Sequence, residues 1–165
     1  MFAASRIAAD LRAAVAEGSV LVSAAPEPAT MQRPAGGGWC TREVIGHLID
    51  SACNNHRRFI ANQAANAGTL LIIDPYDQTA WNALQYYADR PAADLLTFWA
   101  AYNRHLGHVI AAIPDDLLNR PRGPIARLGS LYIPTPDADA TIGYLAADYV
   151  AHLRHHLDQI RRLLS

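Results

Sequence analysis

Tyr149-Val150-Ala151-His152-Leu153-Arg154-His155-His156-Leu157-Asp158-Gln159-Ile160 carries both the periodicity and the chemistry of this chain. Ile142, Leu145, Tyr149, Leu153, Ile160 and Leu164 recur at helical spacing and mark one apolar stripe. Each helical residue advances about 100°, so His152 and His156 lie about 40° apart, one turn above the other. His156 falls inside the stripe and His152 on its edge. His155 falls with Arg154, Asp158 and Arg162 on the polar side. Two imidazoles at i and i+4 can reach one metal ion, the spacing used by zinc-binding helices. His152 and His156 are therefore the candidate ligands, and His155 is a surface or outer-sphere residue. Asp148, one turn before His152, is placed to orient its imidazole.

Working outward, three more long segments show the same period. The spacing predicts a first helix from about Ala3 to Val22, ended by Pro26, Pro28, Pro34 and Gly36-Gly37-Gly38. A second should start with Thr41 as N-cap and Glu43 in its first turn, and run to about Ala65. Asn66 to Gln78 reads as a loop, with Leu70 to Ile73 as a buried stretch and Asp74-Pro75 as the turn. A short helix is expected over Thr79 to Tyr87. A third long helix should begin at Pro91 and stop at Pro114. Residues 114 to 138 hold five prolines and two glycines, a long connection with at most a small hairpin near Leu128 to Ile133. The last helix should run from Ala140-Thr141 to Leu164. Four amphipathic helices make an all-α four-helix bundle the economical architecture, one domain over residues 1–165.

Composition narrows the chemistry. The chain has 165 residues, 51% of them hydrophobic, enough for one core. All 14 basic residues are arginine, which excludes lysine Schiff-base and P-loop chemistry. A net charge of −1 argues against nucleic acid as a partner. Cys40 and Cys53 are too few for a disulfide scaffold or a four-cysteine zinc site. Neither a signal-peptide core nor an eighteen-residue apolar span is present, so the expectation is a cytoplasmic protein with free thiols and no membrane partner. Only three glutamates occur, Glu17, Glu27 and Glu43. None is followed by histidine three residues later, so a di-iron carboxylate bundle is excluded. No His-Glu-x-x-His motif occurs either.

A third ligand must come from another helix. His47, in Val44-Ile45-Gly46-His47-Leu48-Ile49-Asp50, flanks the apolar stripe of the second helix, and Gly46 permits close approach there. His105 borders the core face of its own helix and is the rival; His56 and His108 read as more exposed. A three-imidazole site leaves open positions for water or substrate, whereas a structural site would be closed by a fourth residue such as His105 or Asp50.

Trp39-Cys40-Thr41-Arg42-Glu43-Val44-Ile45-Gly46-His47-Leu48-Ile49-Asp50, followed far downstream by the His152 to Ile160 segment, resembles the DinB-like superfamily, including its YfiT branch. Asp74-Pro75-Tyr76-Asp77-Gln78 with Trp81, and the aromatic third helix around Phe98-Trp99, are similar to the same branch. The resemblance implies an up-down-down-up bundle with one divalent metal, nickel or zinc. Its three histidine ligands map onto His47, His152 and His156. It also implies a homodimer and a small-molecule substrate. Characterised relatives are thiol-dependent transferases or isomerases that use a low-molecular-weight thiol; others are labelled metal-dependent hydrolases. The leading expectation is thus a metal-dependent S-transferase or hydrolase, with Tyr76, Gln78 and Trp81 at the pocket mouth. The alternative is a non-catalytic dimeric metal-binding bundle.

Overall fold

The computed structural model describes residues 1–66, 68–123, 132–133 and 140–165. Four long helices carry the architecture: α1 (Ala4–Ser23), α2 (Thr41–Ala64), α4 (Ala92–Ala111) and α6 (Ile142–Leu163). Two short ones, α3 (Gln78–Leu84) and α5 (Asp115–Leu118), lie in the connections. The expected hairpin near Leu128 to Ile133 falls, apart from its last two residues, outside the described residues. Among the described residues no helix is long and apolar enough to cross a membrane.

Side-chain pairs fix the directions of the four long helices. Phe2, just before α1, meets Tyr144 at the start of α6, while Glu17 pairs with Arg154 and Arg161 further along, so α1 and α6 run parallel. Gly18 lies against Trp99, and Gly107 against Ala8 and Arg12, so α4 runs opposite to α1. Arg42 bonds the Ala88 carbonyl just before α4, and His56 meets Tyr102 and His105, so α2 and α4 are parallel. His47 meets His156 and Phe59 meets Tyr149, so α2 and α6 are antiparallel. The path is up-down-down-up. Each of α1 and α2 packs on both α4 and α6, which leaves α1 and α2 on a diagonal.

The core lies between these faces and includes Leu11, Phe59, Trp99, Leu106 and Leu153, all at most 1% exposed. Each such side chain contributes about 1.5–3 kcal/mol through lost apolar surface. Tyr149 donates its hydroxyl to Asn103 Oδ1, satisfying a polar pair at the centre.

Several boundaries shift for identifiable reasons. Cys40, not Thr41, is the N-cap of α2. Its extended backbone precedes the helix, and its N–H donates to Glu43 Oε2 at 2.9 Å. Helix α3 ends at Leu84 rather than near Tyr87. Asp77 Oδ1 caps its start by accepting from the Thr79 and Ala80 N–H groups, and Tyr86 then turns left-handed (φ 52°) into a 3₁₀ turn, Tyr87–Asp89. Pro91 is the N-cap of α4, which closes two residues before Ile113. Thr141 caps α6 through its hydroxyl, 3.0 Å from the Tyr144 N–H.

Leu70 to Ile73 is a loop but not a buried one. Leu70 is 48% and Ile72 37% exposed, with Leu71 and Ile73 turned inward. Alternate residues thus face opposite ways, the pattern of an extended chain. Two of the stretch's hydrogen bonds go to Asn62, which accepts from the Ile72 N–H and donates to the Ile72 carbonyl, and the Leu71 N–H donates to the Arg122 carbonyl at 3.0 Å.

Candidate metal centre

Helix α2 presents His47 to the bundle interior, where it is 2% exposed. The antiparallel α6 brings His152 and His156 to the same level. One ligand atom from each of the three imidazoles lies within 4.8 Å of the others. The Nε2 atoms of His47 and His152 are 3.1 Å apart. That is close to the edge of a tetrahedron with metal–nitrogen bonds of about 2.0–2.1 Å, which is about 3.3 Å. His155 lies on the exposed side of α6, as its position on the helix predicts.

The far nitrogens explain how the rings are held. His152 Nδ1 lies 3.2 Å from Ser51 Oγ, and His156 Nδ1 lies 2.7 Å from Gln159 Oε1. Both contacts leave Nε2 to face the cluster, the usual arrangement of an imidazole whose other nitrogen is anchored. His47 Nδ1 is buried and has no partner among the described residues; the ring packs against Trp39 at 5.1 Å instead. Burial, aided by His156, holds the His47 pKa down at about 3. Burial and then His156 and His47 bring His152 to about 2, and burial also lowers His156. All three rings are therefore neutral at neutral pH, the form that binds metal. Three neutral imidazoles gathered at this spacing fit a divalent ion.

No fourth His, Cys, Asp or Glu joins the cluster among the described residues. His105 is exposed on α4, and its ring lies 5.1 Å from His56 rather than near His47. Asp50 is turned away. Its Oδ1 accepts from the Tyr87 hydroxyl and from Gln85 Nε2, both at 2.7 Å. Asp148 does not orient His152 either, because its Oδ1 accepts the backbone N–H groups of Tyr132 and Ile133 at 2.6 and 3.1 Å. Burial raises its pKa against those two bonds. Ser51, on the facing helix, occupies the place expected of Asp148. Cys40 is a buried thiol whose pKa burial raises, and Cys53 is exposed; both are free.

A cavity of about 260 Å³ opens beside the cluster, with His47 and His152 in its wall. Tyr76 and Gln78 line it. Trp81 does not; it packs behind Tyr76, ring centres 4.8 Å apart. Ser51, Asn55 and Arg58 line it from α2, and Leu145, Asp148 and Tyr149 from α6, with Ile73 and Tyr132 completing the wall. Sequence reasoning overlooked the α2 members. Their signal is their spacing: residues 51, 55 and 58 follow His47 at i+4, i+8 and i+11, one helix face. Gln159, three residues after His156, is legible in the same way.

Fold and site together define an all-helical bundle protein with a buried three-histidine cluster at the side of a polar cavity. The chain belongs to the DinB superfamily, whose family model matches residues 10–160. It is 25% identical over 127 residues to a Bacillus subtilis (strain 168) protein described as "Putative metal-dependent hydrolase YfiT", a match spanning 77% of this chain and 65% of that protein. A solved structure of YfiT from Bacillus subtilis, described as a probable metal-dependent hydrolase with an unusual four-helix bundle topology, has the same fold. Its TM-score is 0.76 at 22% identity, covering 97% of this chain and 85% of that one.

Proposed function

We propose that this protein is a metal-dependent enzyme in which His47, His152 and His156 hold one nickel or zinc ion and a small molecule reacts in the adjoining cavity. The observation that carries this reading is the convergence of three neutral imidazoles, with no fourth ligand among the described residues closing the side toward the cavity. A divalent ion held by His47, His152 and His156 would supply Lewis acidity toward the cavity, the chemistry that turns a water or a thiol into a nucleophile at neutral pH. With water the reaction is hydrolysis, the activity named for the YfiT relative. With a low-molecular-weight thiol it is S-transfer to an electrophile, which the family resemblance supports.

The chain's own groups divide the remaining work. Ser51 and Gln159 hold two rings in place from behind. Tyr76, Gln78 and Asn55 offer neutral hydrogen-bonding groups along the wall, and Leu145 and Ile73 exclude water from part of it. Asp148 is the one carboxylate among the described lining residues, and burial raises its pKa above the ordinary carboxylate value, favouring the protonated form. Pairing as a homodimer and residence in the cytoplasm belong to the same reading, on the strength of the resemblance. A closed structural site is the competing account; the positions of His105 and Asp50 argue against it. Elemental analysis of tag-free protein, wild type beside His152→Ala, tests the proposal. One divalent ion per chain, lost in the variant, supports it, and metal-free wild-type protein after refolding with nickel and zinc sinks it.

A further inference from the structure

Arg58 stands in the same cavity wall as His152, at the opposite end of the α2 stripe that begins with His47 and runs through Ser51 and Asn55. Eleven residues of helix separate Arg58 from His47, about 16 Å along the axis. Helical side chains lean toward the N-terminus of their helix, which is the side of Arg58 on which the imidazoles lie. Its hydrogen-bonding capacity is largely unspent. One Nη2 N–H donates to the Asp74 carbonyl at 3.0 Å, while the Asp74 carboxylate is taken by Arg57. Arg58 Nε is buried without a partner among the described residues, an arrangement that costs stability unless something else accepts from it.

Among the described residues Arg58 is the one arginine in the wall, and the one carboxylate there, Asp148, already accepts two backbone N–H groups through Oδ1. The other polar groups nearby, on Asn55, Tyr76 and Gln78, are neutral. A guanidinium presents a planar fork that matches a carboxylate, and one fork among neutral donors suits a monoanion better than a phosphate, which gathers several cationic or N–H donors.

We infer that Arg58 anchors the carboxylate of the small molecule that reacts at the histidine cluster, making it a specificity-determining residue for carboxylate-bearing ligands. The assignment of a reacting centre rests on the metal reading above; the carboxylate subsite itself does not.

Two measurements separate these claims. In the first, the Arg58 Nε–H resonance, identified by its loss in Arg58→Gln, is followed in metal-free full-length protein during titration with N-acetylglycine, N-acetylglycinamide and inorganic phosphate. The expected result is a saturable shift with N-acetylglycine only. No shift with it, an equal shift with the uncharged amide, or a response to phosphate alone overturns the inference. In the second, cobalt-loaded protein is titrated with N-acetylcysteine and N-acetylcysteamine, which share a thiol and differ in the carboxylate, while thiolate-to-cobalt absorption is recorded. Arg58→Gln should weaken N-acetylcysteine at least about tenfold, as expected for a lost charge-assisted hydrogen bond, and leave N-acetylcysteamine and cobalt affinity unchanged. Equal weakening of both thiols counts against the anchor. A wild-type protein that takes up no cobalt removes the metal reading while the first measurement still decides the subsite.

Discussion

Ser51 Oγ on α2 stands 3.2 Å from Nδ1 of His152 on α6, so the helix that supplies one imidazole also orients another. Replacing Ser51 with alanine removes that anchor without opening a large cavity. Outer partners of metal-binding histidines typically contribute 10–100-fold in affinity. Ser51→Ala should therefore lose about tenfold in zinc affinity, measured by chelator competition, with a melting temperature close to wild type. Unchanged affinity would show that His152 needs no support from α2.

The three histidines of α6 should behave differently from one another. His152→Ala and His156→Ala each leave two imidazoles, too few for a stable site, and bound metal should fall by more than about tenfold. His155→Ala, on the exposed face, should retain nearly all of it. Metal content of the three purified variants, measured side by side, distinguishes this outcome from a diffuse surface cluster, which would lose metal equally in each.

Gly46 and Gly107 sit in different long helices but should respond oppositely to alanine. A Cβ at Gly46 would lie 2.1 Å from Tyr87 Cδ2, forcing the Tyr87 ring off the residue it covers and off Asp50. Gly46→Ala should cost about 1–3 kcal/mol, the range for overpacking, despite better helix propensity. At Gly107 the nearest atom would be 3.7 Å away, ordinary contact, so Gly107→Ala should gain about 0.5–1 kcal/mol. Urea titrations of both variants test the pair.

Glu43 links stability to pH. Burial opposes its ionised form, but the Arg33 hydrogen bond and the Cys40 N–H outweigh it and hold the carboxyl below its ordinary value of 4.5. A depressed pKa means that the stabilisation is present above the unfolded value and is lost as pH falls through the folded one. Glu43→Gln should therefore cost about 1 kcal/mol at pH 7, the scale of a helix cap, and progressively less below about pH 4.5. An equal cost at pH 7 and pH 3 would mean that shape, not charge, is what Glu43 contributes.

The extent of what could be read in advance varies by element. The faces of α6 were legible because periodicity is local: His156 in the stripe, His152 at its edge and His155 outside it follow from 3.6 residues per turn alone. The Asn62 clasp on Ile72 and the left-handed turn at Tyr86 were not. Both depend on which side chain the folded chain brings near, and neither residue type announces it. Asp148 departs from its expected role for a related reason. Its position one turn before His152 is real, but the strap at Tyr132–Ile133 offers it two N–H groups, and those win.

From its residue pattern alone this protein is a bundle of four long amphipathic helices with histidines on the buried faces of the second and last, since apolar spacing along one helix needs no knowledge of any other. Packing alone decided which histidine meets which, that Ser51 and not Asp148 backs His152, and that Arg58 shares their cavity. His47 and His152 are 105 residues apart in the chain, and only the antiparallel docking of α2 on α6 brings their nitrogens to hydrogen-bonding distance.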